Sequence, residues 1–77
     1  MKFSITSVAM GRRSRRRIGK SRIEVVDTQR SDAMKSLSRV LTPSPYDVEC
    51  LYERFWNEDN PSPEIVKVID VREVEEA

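Results

Sequence analysis

A run of arginines near the start of the chain is the clearest chemical feature of this 77-residue sequence. Five arginines lie within six consecutive residues and two further bases follow: Arg12, Arg13, Arg15, Arg16, Arg17, Lys20 and Arg22. The guanidinium group is a planar fork of N–H donors, which suits bidentate contacts with phosphate and stacking on exposed bases. The run therefore predicts a nucleic-acid-binding site, with RNA favoured over DNA and with low base specificity.

The same run has two other interpretations. A cluster of bases can act as a targeting signal to the nucleus or an organelle, or can dock on an acidic protein partner. It can also be a solvated loop without any partner. Neutralising the arginines and varying the salt concentration together separate these interpretations. Binding to RNA through phosphates depends steeply on salt, and that dependence should flatten when the arginines are neutralised.

Charge is distributed very unevenly along the chain. Residues 1–22 carry eight bases and no acid, whereas residues 23–77 carry six bases and thirteen acids. A formal net charge of only +1 hides this asymmetry. Such separation is typical of a protein with a nucleic-acid or acidic contact at one end, although the acidic part can also screen the basic part.

The composition argues against an enzyme and against a metal protein. Cys50 is the only cysteine and there is no histidine, so neither a disulfide nor a zinc site of the usual type can form. Without a histidine as base, Cys50 is expected to be a buried, inert thiol. We expect no cofactor, no metal and no membrane span, and an intracellular, mostly cytoplasmic location.

Four of the five aromatic residues lie close together, at Tyr46, Tyr52, Phe55 and Trp56. At helical spacing they are expected to form part of the core, with Tyr46 or Trp56 the most exposed. The competing hypothesis is a protein-interaction adaptor, with a homodimer as one form of it. It would dock through the aromatic helix 46–56, or through an edge strand 65–74 that includes Val71.

The basic run lies between two predicted strands. Residues 2–9 alternate in polarity, and Ile23 and Val25 would share one face of a strand at 22–27. The two strands predict an N-terminal β-hairpin whose basic loop, residues 11–21, is long and mobile.

The rest of the chain predicts two amphipathic helices and a final element. Met34, Leu37 and Leu41 recur at helical spacing over 31–41. Ser44, Pro45 and Asp47 form a capping-box start for the next helix. Residues 65–74 are rich in β-branched side chains, which favours a strand, with a helix as the alternative. An acidic, frayed tail is expected at 73–77. The prediction is one small α+β domain covering residues 1–77.

The order of the predicted elements also resembles the ribbon-helix-helix DNA-binding family. There, a strand equivalent to 22–27 precedes two helices and lies in the major groove. This resemblance implies that Arg22 and Glu24 would face the bases.

Overall fold

The computed structural model describes residues 1–60 and 62–75. It contains three strands, a 3₁₀ helix, an α-helix and a π-helical turn: β1 (Lys2–Gly11), β2 (Arg17–Asp27), the 3₁₀ helix (Asp32–Leu37), α1 (Pro45–Arg54), the π-turn (Phe55–Asp59) and β3 (Glu64–Val74). The strands form one antiparallel sheet in the order β2-β1-β3. The predicted α+β class is therefore confirmed, and the ambiguous segment 65–74 is a strand.

The sheet has one face covered by the helical segments and one open face, and alternate side chains of the central strand β1 point to each. Phe3 and Ile5 are buried beneath the helices, whereas Ser4 and Thr6, which alternate with them, are only partly covered. Because directly paired residues share a face, Val25 opposite Ser4 and Ile23 opposite Thr6 lie on the open face. Both are well exposed.

The core lies between the covered face and the helical segments. Three strands, the 3₁₀ helix and α1 each contribute to one buried cluster: Phe3, Ile5, Val26, Met34, Leu37, Val48, Tyr52 and Val68. Burial of these side chains is the main favourable free-energy term in folding. For a chain of this size the surface buried is modest, which makes stability sensitive to single contacts.

The helix α1 begins where its sequence predicts. The Ser44 hydroxyl accepts a hydrogen bond from the Asp47 backbone N–H, and the Asp47 carboxylate accepts one from the Ser44 backbone N–H. Pro45 occupies the first turn, where its missing N–H costs no hydrogen bond. Val48 and Tyr52 face the core one turn apart.

The segment predicted as a helix over 31–41 is shorter and differently wound. Only Asp32–Leu37 is helical, as a 3₁₀ helix, and Met34 inside it has non-helical backbone angles. Met34 and Leu37 are buried, but Leu41 is 92% exposed, so its helical spacing was misleading. Leu41 lies beyond the last helical residue, and the buried cluster takes only Met34 and Leu37 from this segment.

The hairpin is also longer than predicted. β1 extends to Gly11 and β2 begins at Arg17, so strand structure covers much of the segment expected as a loop at 11–21. A register shift opposite Val8 accommodates the extra residues of β2, and Gly19 there has a φ of +71°, which favours glycine. The predicted mobility of this segment stays a prediction.

The arrangement differs from that implied by the ribbon-helix-helix resemblance. β2 pairs with β1 of its own chain inside a three-stranded sheet, and a 3₁₀ helix follows it. The predicted tail 73–77 starts within β3, and its last two residues lie outside the described residues. No helix within 1–60 and 62–75 is long and apolar enough to cross a membrane.

Candidate nucleic-acid interface

The tip of the β1–β2 hairpin is a tight, hydrogen-bonded turn. The Gly11 N–H donates to the Arg16 carbonyl at 2.9 Å, and the Arg15 N–H donates to the Gly11 carbonyl at 2.9 Å. A side chain at Gly11 would press against the Ser14 hydroxyl, which would have to rotate away. Five residues, Arg12–Arg16, therefore connect the strands. We call residues 11–22 the arginine hairpin.

Arg12 anchors the hairpin to the rest of the protein. Its backbone N–H donates to the Pro63 carbonyl at 2.9 Å. Its guanidinium donates from Nε to the Ser62 carbonyl at 3.1 Å and from Nη2 to the Asn57 carbonyl at 3.3 Å. Of the seven predicted nucleic-acid-binding residues, Arg12 is thus the one whose side chain is held by backbone carbonyls of another segment that the structure describes.

The other bases of the arginine hairpin face solvent. The six side chains are exposed: Arg13, Arg15, Arg16, Arg17, Lys20 and Arg22. Within the described ranges two ion pairs occur, Arg54–Glu58 and Arg72–Asp70, and both lie outside the hairpin. The acids among the residues that the structure describes therefore do not neutralise the hairpin by direct pairing.

Arg15 has an unusual backbone conformation. Its φ of +58° lies in the left-handed region, which L-residues other than Asn and Asp rarely occupy. A glycine would adopt this conformation with less strain. Such an outlier is a reason to look for a function of the side chain.

A cleft lies beside the base of the arginine hairpin, on the covered side of the sheet. Its volume is about 210 Å³. Arg22 and Glu24 of β2 line it together with Ser7 of β1 and the aromatic rings of Tyr52 and Trp56. Arg22 therefore belongs both to the basic surface and to the cleft, and it links the two.

A hydrogen bond fixes one wall of the cleft. The Tyr52 hydroxyl donates to Glu24 Oε1 at 2.7 Å. Burial of the ring, followed by the hydrogen bond to this carboxylate, raises the pKa of Tyr52 to about 12. The hydroxyl therefore stays protonated at neutral pH and holds the carboxylate in place. The residue pattern did not include Glu24 in the predicted site, and only the ribbon-helix-helix resemblance pointed to it. Its contact with Tyr52 could not be predicted, because the two residues are 28 positions apart.

The ring of Trp56 forms the other wall. It packs edge-to-face against Phe55, with ring centroids 5.2 Å apart, and against Tyr52, with centroids 6.3 Å apart. The side chain is still 39% exposed. Contacts of this kind orient the ring while leaving part of it accessible.

The residues of the alternative docking hypothesis fall into two groups. Tyr52 and Trp56 line the cleft, and Phe55 is half-buried beside them. Tyr46 lies with Ile69 and Val71 around a separate shallow depression on the outside of α1 and β3.

Tyr46 is 72% exposed, as the sequence predicted for either Tyr46 or Trp56. Cys50, in contrast, is exposed on α1, so the expectation of a buried thiol was wrong. Apolar residues nearby in sequence did not place Cys50 on the buried stripe of α1, which follows Val48 and Tyr52.

The outer edge of β3 is covered by side chains from the helical segment. The Asn57 amide donates to the Val66 carbonyl at 2.9 Å and accepts from the Val66 N–H at 2.7 Å. The Glu53 carboxylate accepts from the Val68 N–H at 2.7 Å. These backbone groups are therefore already satisfied, and this half of β3 is a poor template for pairing with another strand.

The chain matches no family model, no curated protein and no solved structure. The features that bear on its function are the arginine hairpin, the cleft and the two edges of the sheet.

Proposed function

We propose that this protein is a small, non-enzymatic RNA-binding protein, accessory or structural in role, that holds the phosphate backbone on the arginine hairpin. Arg13, Arg15, Arg16 and Arg17 are the main phosphate contacts. Lys20 and Arg22 extend the basic surface along β2. Arg12 positions the hairpin by holding it against the segment before β3.

The observation that carries this proposal is the exposed, unneutralised charge of the hairpin. Four guanidinium groups lie at or next to a turn that is closed by backbone hydrogen bonds, and none forms an ion pair within the described part of the chain. Concentrated positive charge raises the local potential and attracts a polyanion. Phosphate contacts of this kind supply most of the affinity in non-specific nucleic-acid binding.

The neighbouring cleft favours single-stranded or looped RNA over a regular duplex. Arginine planes and aromatic rings stack on bases only where those bases are unstacked from their own strand. Trp56 is partly exposed and lines the same cleft as Arg22. A single strand can place phosphates on the hairpin and still offer a base to this wall.

The experiment that tests the proposal is a salt titration of RNA binding. The hairpin variant changes Arg13, Arg15, Arg16 and Arg17 to Gln. The control variant makes the same change in charge at four exposed bases elsewhere: Arg30, Lys35, Arg39 and Lys67. Binding of a fluorescent single-stranded RNA is measured by anisotropy between about 50 and 300 mM salt, a range over which phosphate contacts weaken strongly.

We expect the hairpin variant to lose roughly a hundredfold in affinity at the lowest salt. The slope of log K against log salt should flatten by about 0.7 for each phosphate contact removed. The control variant should keep most of the wild-type slope. Equal losses in both variants would show that only net charge matters, and absence of binding by the wild type at low salt would overturn the proposal.

A second candidate function is the protein-interaction adaptor. The depression formed by Tyr46, Ile69 and Val71 favours it, because Ile69 is 55% exposed beside an exposed tyrosine ring. If a second copy covers this surface, the wild type sediments as a dimer and an Ile69→Asp variant sediments as a monomer. A monomeric wild type would exclude this form of the adaptor function.

A further inference from the structure

The cleft beside the arginine hairpin has walls of two chemical kinds. One wall is aromatic, with Trp56 oriented by Phe55 and Tyr52. The other is polar and comes from β2, with Arg22 and Glu24 two residues apart on the same side of the strand. Alternate residues of a strand are roughly 6–7 Å apart, which is within the span of one base. A flat, polar-edged ring fits between such walls.

The charges in the cleft favour a base over a phosphate. Glu24 and Glu64 both line it, so a phosphate group inside would meet two carboxylates. The hairpin outside carries the uncompensated arginines and is the better place for the backbone. At about 210 Å³ the cleft is also below the roughly 300 Å³ of a drug-sized ligand site, which suits one base.

The carboxylate of Glu24 is oriented and still has acceptor capacity. Oε1 accepts the hydrogen bond from Tyr52, and within the described residues Glu24 takes part in no ion pair. An ionised carboxylate has about four lone-pair sites and only accepts hydrogen bonds. Its natural partner is therefore a ligand edge that carries N–H donors.

Guanine has an acceptor edge and a donor edge side by side, which match the positive charge of Arg22 and the negative charge of Glu24 on β2. Its N1–H and N2–H groups form a donor edge for the Glu24 carboxylate, and its O6 and N7 form an acceptor edge that arginine recognises in a bidentate way. Uracil carries one ring N–H between two carbonyl oxygens, and those oxygens would face the carboxylate unfavourably. Adenine lacks the O6 acceptor and the N1–H donor.

We propose that this cleft binds one unstacked guanine of the RNA whose phosphates lie on the arginine hairpin. Trp56 stacks on the base, Glu24 accepts from its N1–H and N2–H groups, and Arg22 donates to its acceptor edge. This proposal rests on the proposed function and adds a base preference to it. Tyr52 is a positioning residue, because it acts by orienting Glu24.

The test uses short RNAs that differ at one base. Four nonamers carry uridine, guanosine, inosine or adenosine at the centre of an otherwise all-uridine strand. Inosine lacks the N2 amino group of guanosine and keeps N1–H, O6 and N7. Affinity is measured by anisotropy, and stacking is followed by the fluorescence of Trp56, which is the only tryptophan in the chain.

We expect the guanosine strand to bind about tenfold more tightly than the all-uridine strand. Inosine should lose several-fold of that gain, and only the purine strands that enter the cleft should quench Trp56. A Glu24→Gln variant should lose the guanosine preference with its salt slope unchanged. Glu73→Gln, the same change at an exposed position outside the cleft, should keep the preference.

The outcomes distinguish the two proposals. Equal, salt-dependent binding of all four strands by the wild type, without a difference in Trp56 fluorescence, would overturn the guanine site and leave the hairpin function standing. Absence of binding to every strand would overturn both. The inosine comparison uses the wild-type protein, so a folding defect in the Glu24 variant cannot obscure the result. The hairpin variant should weaken binding of all strands by a similar factor and keep their ratio.

Discussion

The two edge strands of the sheet differ in how their outer edges are protected: β3 is covered by side chains, and β2 is exposed and charged. At β3, Asn57 and Glu53 reach over from the helical segment and satisfy the outward backbone groups of Val66 and Val68. At β2, the strand is exposed from Arg17 to Val25 and carries a series of bases. Free strand edges attract other strands, and proteins protect them by covering or charging them.

The covered edge at β3 contributes to the stability of the fold, whereas the exposed edge at β2 is available to a ligand. Side chains of the same molecule satisfy the hydrogen bonds of β3, so its stability depends on the helix. The bases of the arginine hairpin form no ion pair within the described residues, and Arg12 is the one whose guanidinium donates to backbone carbonyls of another segment. A mutation at one edge should therefore change stability, and a mutation at the other should change binding.

Removing the side chains that cover β3 should produce the largest effect on stability. A variant with Asn57→Ala and Glu53→Ala loses three hydrogen bonds to β3. At about 1 kcal/mol each, with a further cost for the partly buried groups left without partners, the free energy of unfolding should fall by about 3–4 kcal/mol. Urea denaturation followed by circular dichroism measures this change.

Asp59→Ala provides the control for that variant, because it removes an exposed acid from the same turn. It should change the free energy of unfolding by less than about 0.5 kcal/mol. RNA affinity of the folded double variant should stay near the wild-type value. A double variant as stable as the wild type would show that these contacts do not protect the edge.

Alkaline pH should weaken the link between the helix and β2. The pKa of Tyr52 is raised from 10.0 to about 12 in the folded protein, so folding favours the protonated hydroxyl. The associated stability is fully present below pH 10 and is lost as pH rises towards 12, by about 2–3 kcal/mol. Tyr52→Phe should show a flatter dependence of unfolding free energy on pH over this range. An equal pH dependence in both proteins would rule out Tyr52 as its source.

A single substitution at the hairpin tip should have a smaller effect on stability, in the opposite direction. Arg15→Gly removes the strain of the left-handed backbone and should raise the free energy of unfolding by about 1 kcal/mol. It should also lower RNA affinity several-fold, because one phosphate contact is lost. Thermal melting measures the gain in stability, and fluorescence anisotropy measures the loss of RNA affinity. Unchanged affinity would show that Arg15 does not contact the RNA.

The sequence predicted those features that depend on neighbouring residues. The capping box of Ser44 and Asp47 lies within four positions, and the alternation of Phe3 and Ile5 is a property of one strand. The β-branched side chains of 65–74 favoured a strand for the same local reason. All three features are present in the structure.

The sequence could not predict the features that depend on distant contacts. Asn57 covers Val66 and Tyr52 reaches Glu24, and neither partner can be recognised before the sheet order is known. Leu41 fits a helical pattern but has nothing to pack against, so it is exposed. The arginine run was evident from sequence, but the anchoring role of Arg12 depends on carbonyl groups about 50 positions away.

The most direct test of the account is to find which edge of the sheet the RNA contacts. Amide chemical shifts of the labelled protein are recorded during titration with a single-stranded RNA, at low and at high salt. We predict shift changes within the arginine hairpin and around the cleft, at Glu24 and Trp56, that disappear at high salt, while Ile69 and Val71 of β3, which lie outside the cleft, stay unaffected. Shift changes centred on Tyr46, Ile69 and Val71, or no shift changes at low salt, would contradict this prediction.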